Sequence, residues 1–340
     1  MADGATMHLA VSLVPEAAPS HPSDAGPDFS LLARFVQKAE AAGLDMVVLA
    51  DSAPAAGGDA PNRQVPFEAT TLLAALATVT SKIGLIAAAS TVAHQPYNLA
   101  RRFASLDVIS HGRAGWNASV LLDPREAANF SHPEGFSGDD FRRRAEEFIG
   151  IVQGLWQGWD TDALLFDKSG GRFFDPDKMH LLDHKGEFFS VGGPLNVARS
   201  PQDMPVLVMS GLSEADMDIG ARVADVILLD EPSVVGAKAD DLKRRALAFG
   251  RSPGAIKVLM NVAPSAEMAA RRDLIADRLE ESFRSKSCDG FNILMPPVLS
   301  VLDDFVGYVL PELRRRGLLR SDYPGATLRS HLGLAGRDDQ

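Results

Sequence analysis

Residues 82–120 read KIGLIAAASTVAHQPYNLARRFASLDVISHGRAGWNASV. A short apolar run, Ile83–Ala89, is followed by a longer segment, Pro96–Ser110, and then by a second short run, Ala114–Val120. Short, continuously apolar runs suit strands buried on both faces. The longer segment opens on a proline, which is harmless in a first helical turn, and is stopped by Gly112. The stretch therefore reads strand, helix, strand.

The same rhythm extends in both directions. Leu9–Val14 and Met46–Ala50 read as the two preceding strands. Between them Phe29–Ala42 carries Leu31, Leu32, Phe35, Val36 and Ala39 at helical spacing, with Gly43 as its stop. Phe67–Thr80 is the next helix. Downstream, Asp140–Trp156 is strongly amphipathic. Val206–Ser210, Val226–Leu229, Ile256–Asn261 and Phe291–Leu294 read as four further strands. Helices over Glu214–Arg222, Val235–Phe249, Glu267–Arg284 and Leu302–Arg315 follow them in turn.

Eight strand-then-helix units imply a parallel sheet covered by helices and closed on itself. The expected fold class is α/β, a single (β/α)8 TIM barrel over residues 1–340. A doubly wound open sheet would carry Gly-x-Gly-x-x-Gly after its first strand, and none is present. Residues 160–201 lack helical period and are too long for an ordinary loop, so they read as an ordered excursion with a short hairpin at His184–Val191. The turn-rich tail, 317–340, is expected to wrap the outside of the barrel.

The chain has 340 residues and a formal net charge of -11, from 45 acidic and 34 basic residues. That balance argues against nucleic acid or an anionic membrane as partner. The one cysteine, Cys288, excludes a disulfide framework and a multi-cysteine metal site, and it fits a reducing compartment. Met1–Leu13 has no basic region or long apolar stretch, and no run approaches the ~18 apolar residues of a membrane span. A cytoplasmic protein is expected.

In a (β/α)8 barrel the chemistry sits at the C-terminal ends of the strands. The polar residues there are Asp51-Ser52, Ser90-Thr91 with His94 close behind, Asn117 and Ser119, Ser210-Gly211-Leu212-Ser213, Asp230-Glu231, Asn261, and Asn292. Any one of them alone is more often a helix cap or a turn residue. Asp230-Glu231 precede Pro232 and read as turn residues. As a set, uncharged polar groups with one carboxylate suit a neutral or anionic cofactor better than a divalent metal. Ser210–Ser213 opens a helix, where backbone N–H groups can receive a phosphate and Gly211 allows close approach. His180 and His184 are four apart, but Pro176 and Gly186 flank them, so they read as loop histidines rather than a metal pair. Arg142–Arg144 reads as a solvated or salt-bridged face, Arg314–Arg316 as charge suited to a helix end, and Cys288 as a small buried residue.

Longer motifs carry a family resemblance. Ala100-Arg101-Arg102-Phe103-Ala104-Ser105-Leu106-Asp107, running on through His111-Gly112-Arg113-Ala114-Gly115-Trp116-Asn117, resembles the bacterial-luciferase-like flavin monooxygenases, in their nitrilotriacetate/dibenzothiophene-sulfone monooxygenase branch. Leu49–Ser52, Asp175–Lys178 through His184, Gly193–Asn196, Asp289–Asn292, Met295–Pro297, and Pro311–Leu313 with Arg316–Leu318 continue the likeness over nearly the whole chain. The resemblance implies a two-component monooxygenase. Reduced FMN would come by diffusion from a separate NAD(P)H:flavin reductase. One oxygen atom of O2 would pass to a small organic substrate via a peroxyflavin. It further implies that Asp51, Ser90, Thr91, Asn117 and Ser119 line the flavin, and that Ser137 with Gly211, Leu212 and Ser213 meets its phosphate. A homodimer is the expected assembly.

This sequence departs from the family pattern where the phosphate is held. A His and a Tyr four apart are replaced by Ser137 and Phe141, a serine by Leu212, and a Tyr-His pair by Tyr97-Asn98. Phenylalanine cannot donate a hydrogen bond, and each lost donor is worth on the order of 1 kcal/mol. The chain also lacks a long extension between its seventh strand and last helices, since Met260–Ala270 runs almost directly into Arg272. These departures leave a flavin-lacking relative, or one using a deazaflavin for hydride transfer, as alternatives. No general base stands out; His94 and His132 are the histidines expected near the mouth.

Overall fold

A computed structural model of the chain describes residues 6–14, 28–49, 67–120, 130, 137–230, 235–252, 254–263 and 272–334. In chain order the elements are β1 (His8–Leu13), α1 (Phe29–Ala41), β2 (Met46–Leu49), α2 (Ala69–Ala77), β3 (Gly84–Ser90), α3 (Pro96–Ile109), β4 (Ala114–Ser119) and α4 (Gly138–Trp156). Two small hairpins follow, β5 (Leu164–Asp167) with β6 (Arg172–Phe174), and β7 (His184–Lys185) with β8 (Ser190–Val191). Then come β9 (Val206–Ser210), α5 (Met217–Val223), β10 (Val226–Leu229), α6 (Val235–Ala248), β11 (Lys257–Val262), α7 (Arg272–Arg284) and β12 (Gly290–Met295). Leu299–Asp304, Leu310–Arg315 and Leu328–His331 are α8, α9 and α10.

Eight strands close into a parallel barrel in the order β1-β12-β11-β10-β9-β4-β3-β2. This is the TIM barrel expected. Its strands alternate cleanly between two apolar cores. Ala10, Met46, Val48, Ile86, Val206, Val208, Val226, Leu228 and Leu259 fill the bore. Leu9, Val11, Val47, Leu85, Trp116, Met209, Ile227 and Phe291 point the other way, into the layer beneath the helices. Gly115 belongs to the bore side: a methyl group there would lie 2.8 Å from the Val206 carbonyl oxygen. Trp116 anchors the outer layer, with its ring centroid 6.1 Å from those of Phe103 and Phe148 and 6.3 Å from that of Trp156.

The last described part of the tail enters the barrel instead of wrapping its outside. Leu328, Leu332 and Leu334 join the bore residues and close the N-terminal end of the barrel, and Leu328 lies against Gly84. Of the tandem arginines, Arg142 and Arg143 make the expected ion pairs, but Arg144 is buried, with Nη1 2.7 Å from the Thr91 carbonyl and its guanidinium 4.8 Å from the Phe189 ring centroid. Cys288 is buried, and burial pushes its thiol up to about 11, which leaves it unreactive.

An aspartate stands immediately before β2, β10 and β12, and each receives a backbone N–H from the preceding strand. Asp45 takes that of Leu9 at 2.7 Å, Asp225 that of Leu207 at 2.9 Å, and Asp289 that of Val258 at 2.8 Å. Each is balanced by a cation, from Arg320, Arg329 and Lys243 respectively. The β4 start is held differently. Asp107, at the end of α3, accepts from Ala114 N at 2.9 Å, Gln202 Nε2 at 2.6 Å and the Ser200 hydroxyl, without an arginine on its carboxylate.

Burial, opposed by those three donors, pushes Asp107 up to about 6 from 3.8. A raised carboxyl contributes stability that is complete below the unfolded value and is lost as pH rises through about 6. At about 1.4 kcal/mol per unit the shift is worth about 3 kcal/mol in full, of which about 2 kcal/mol falls between pH 4.5 and pH 7.5. Asp107→Asn keeps an acceptor for Ala114 N and Gln202 and removes the titration. Relative to the unaltered protein, it is expected to gain about 2 kcal/mol between those pH values. Urea unfolding at pH 4.5 and 7.5 checks this, and a variant that loses ground at the higher pH contradicts it.

Candidate active site

Where the alternation reaches the C-terminal ends of the strands, the inward positions turn polar. They are Ser12 on β1, Ser90 on β3, Asn117 and Ser119 on β4, Ser210 on β9, Asp230 after β10, Asn261 on β11 and Asn292 on β12. A polar collar therefore sits on the apolar bore. Asn117 and Ser210 bond to each other across β4 and β9 at 3.3 Å. On the opposite arc the amides form a chain. Asn261 Nδ2 donates to Asp230 Oδ1 at 2.6 Å, Asn292 Nδ2 donates to Asn261 Oδ1 at 2.7 Å, and Asn292 and Ser12 bond at 2.8 and 3.1 Å. A carboxylate only accepts, so Asp230 fixes which way both amides face. Asp230 is exposed and Asn292 fully buried, so the chain runs from solvent to the barrel wall.

The β3 corner is more closed. Ser90 is buried and its hydroxyl accepts from Val92 N at 3.0 Å. Thr91 is wholly buried and turns its hydroxyl to the Ser119 carbonyl at 3.4 Å. The Arg144 guanidinium lies behind this corner. Burial pulls it below its ordinary value against the opposing pull of Glu147, yet arginine stays charged. His94 reaches the mouth, but both ring nitrogens are engaged. Nδ1 lies 3.0 Å from the Ser90 carbonyl and must carry the proton, which leaves Nε2 to accept from Arg102 at 3.3 Å. A base whose lone pair already faces a guanidinium is poorly placed to take a proton.

A second corner forms where the start of α4 meets the turn after β9. Ser137 caps α4, accepting from Asp140 N at 3.1 Å and donating to Asp140 Oδ2 at 2.6 Å. Ser213 is tied to Asp216, whose Oδ2 accepts from both its backbone N–H and its hydroxyl. Arg142 joins the two, with Nε 3.0 Å from Asp216 and Nη1 2.9 Å from Asp139. Gly211 turns the chain at φ +65°, a conformation glycine adopts freely. Leu212 turns its side chain into the core, 8% exposed, against Gly220. Phe141 is buried as well.

Asp51 and His132 lie outside the described residues. The other expected site residues fall into two groups: Ser90, Thr91, Asn117 and Ser119 on the β3–β4 side, and Ser137, Gly211 and Ser213 at the α4 corner, with Leu212 contributing backbone alone. Sequence reasoning missed Ser12 and the anchoring part of Asp230. The period-two alternation through Ala10 into Ser12 marks the first; nothing local marks the second. His180 and His184 bond to separate carboxylates, Asp160 at 3.0 Å and Glu147 at 2.9 Å. Among the described residues no group of three His, Cys, Asp or Glu could hold a metal ion, and no helix is long and apolar enough to cross a membrane.

A family model described as luciferase-like monooxygenase matches residues 7–292, most of the barrel. The chain belongs to the luciferase-like monooxygenase family. Membership makes it a flavin-dependent monooxygenase. This luciferase-like monooxygenase is 35% identical to the N-acetyl-S-(2-succino)cysteine monooxygenase of Bacillus subtilis (strain 168), over 93% of this chain and 92% of that one. It is 34% identical to nitrilotriacetate monooxygenase component A of Aminobacter aminovorans, over 91% and 90%. A riboflavin lyase solved with modified FMN and substrate riboflavin superposes with a TM-score of 0.84 at 26% identity, covering 96% of each chain. The alignment with the first relative runs over 406 positions against 340 residues here, so that relative carries segments this luciferase-like monooxygenase lacks.

Proposed function

We propose that this chain is the oxygenase component of a two-component system, working on a small organic substrate with reduced flavin from a separate NAD(P)H:flavin reductase. The observation that carries the reading is the collar of Ser and Asn side chains, with one carboxylate, on a bore otherwise filled by aliphatic residues. An isoalloxazine ring needs a flat apolar floor and a few donors and acceptors at its edge, and the collar supplies both kinds. When bound, the flavin would supply the oxygen chemistry, delivering one atom of O2 to the substrate.

The chain's own residues bind, orient and exclude water. Asn117 and Ser210 offer an amide and a hydroxyl to the ring edge. The buried Arg144 charge behind the Ser90–Thr91 corner favours negative charge on a reduced ring at the mouth. Across the mouth, the Asp230–Asn261–Asn292–Ser12 chain presents amides of fixed orientation to the substrate side. Fixed dipoles need no reorganisation when charge develops. His94, the described histidine at the mouth, has both ring nitrogens engaged, so the reading rests on the cofactor for the chemistry.

Anaerobic titration with reduced FMN or reduced riboflavin, followed by flavin absorbance, tests this. Saturable binding is expected, weakened by about ten-fold in Asn117→Leu through loss of one hydrogen-bonding side chain. Absence of saturation by either flavin at high micromolar concentration would sink the flavin reading.

A further inference from the structure

We propose that flavin binding in this protein does not draw on the 5′-phosphate, so that riboflavin is held as tightly as FMN. The inference rests on the flavin reading above and concerns its α4 corner. The turn Ser210–Ser213 leads from the ring-side hydroxyl of Ser210 to that corner in three residues, a reach of at most about 10 Å. A flavin lying on the collar with its side chain along this turn brings its terminal group between Ser137 and Ser213.

Among the described side chains at this corner, the hydroxyls and guanidiniums that could donate to a phosphate are already committed to carboxylates. A hydroxyl has one proton to give. That of Ser137 already goes to Asp140, and that of Ser213 to Asp216. The guanidiniums are committed in the same way. Arg142 bonds Asp139 and Asp216, Arg143 bonds Asp140 and Glu187, and Arg245 bonds Glu214, Asp218 and Asp241. Asp139, Asp140, Glu214, Asp216 and Asp218 thus face Arg142, Arg143 and Arg245 there, five negative charges against three positive, before Glu187 and Asp241 are added. Ser137 and Arg143 hold the Asp140 carboxyl below the usual range, so it is ionised at neutral pH. Leu212, which turns into the core, adds no hydroxyl.

A phosphate arriving at this corner meets carboxylates that already hold the described side-chain donors, and like charges repel. The terminal hydroxyl of riboflavin is uncharged and can donate to a carboxylate. Affinity is then left to the ring and the ribityl hydroxyls, which the two flavins share.

The test is an anaerobic titration of the full chain with reduced FMN and, separately, reduced riboflavin, at low and at moderate salt. The two dissociation constants are expected to agree within about three-fold, with no tightening of FMN at low salt. Asp216→Asn and, separately, the exposed Asp140→Asn remove one negative charge each and release an arginine. Each is expected to tighten FMN several-fold while leaving riboflavin unchanged. FMN binding about ten-fold or more tighter than riboflavin in the unaltered protein overturns the inference and leaves the flavin reading standing. Failure of both flavins to bind overturns the flavin reading itself, and this inference with it.

Discussion

Replacing Arg329 by methionine is expected to remove about 3–5 kcal/mol of folding stability, the cost of stranding a buried charge. Arg329 is 4% exposed and Asp225 3%. Nη2 and Nη1 lie 2.7 and 3.3 Å from the Asp225 carboxylate, and Nε donates to the Met204 carbonyl at 3.0 Å. Methionine fills much of the space of the stem and supplies none of these bonds. Asp225 would keep the Leu207 N–H, with the Arg251 guanidinium at 3.9 Å. The loss also loosens α10, the plug of the bore. Urea denaturation checks it as a fall in midpoint at constant slope. Adding Asp225→Asn should recover part of the loss, because the stranded charge is then gone. A single variant within 1 kcal/mol of the unaltered protein would mean the pair contributes like an exposed one.

The second large effect is expected for Trp116→Ala, about 3–5 kcal/mol from the cavity left by a large buried ring. Trp116 is fully buried among Phe103, Phe148 and Trp156, and its Nε1 donates to the Ala89 carbonyl at 2.9 Å. The bond ties β4 to β3 just below the Ser90–Thr91 corner. Trp116 also sits between Gly115 and Asn117, which face the bore and the collar. Removing it should therefore weaken flavin binding in the fraction that remains folded, beyond the loss of folded protein. Trp116→Phe keeps most of the packing and loses the indole bond to the Ala89 carbonyl, so about 1 kcal/mol is expected. An alanine variant with an unchanged urea midpoint would contradict the account.

The barrel was legible because a parallel strand buried on both sides must be apolar, and its ends are marked by turns. Val206–Ser210 and Val226–Leu229 fall where the apolar runs place them, and the other barrel strands within one or two residues. The last long helix stands where expected, but its interior did not show in the spacing: from Leu299 to Arg315, α8 and α9 are joined by a π-helical turn, Phe305–Val309. Pro311 has no N–H to give, and the helix widens just ahead of it. The hairpin of β5 and β6 went unseen because its strands are short and half-exposed, without alternation strong enough to stand out. The tail was misplaced for a different reason. Leu328, Leu332 and Leu334 mark an apolar face, but spacing does not say whether that face lies over helices or inside a bore.

The site divides in the same way. Alternation along one strand predicts Asn117, Asn261 and Asn292 facing inward, since that needs only the strand. Asp230 looks like a turn residue, and its partner Asn261 is 31 positions away. No local pattern contains that pairing. Ser137 and Ser213 were expected as phosphate donors from resemblance, and the side chains that take up their protons are only three residues on.

The aspartates that precede β2, β10 and β12 lie at the floor, at the end of the barrel away from the collar. Each clasps a strand to its predecessor, pairing β1 with β2, β9 with β10 and β11 with β12. Cohesion is thereby settled two strands at a time, at the far pole from the chemistry. A lineage that exchanges collar residues to meet a new compound disturbs none of these clasps. Innovation at the rim is insulated from collapse at the base, and one such scaffold can carry many oxygenations without being rebuilt.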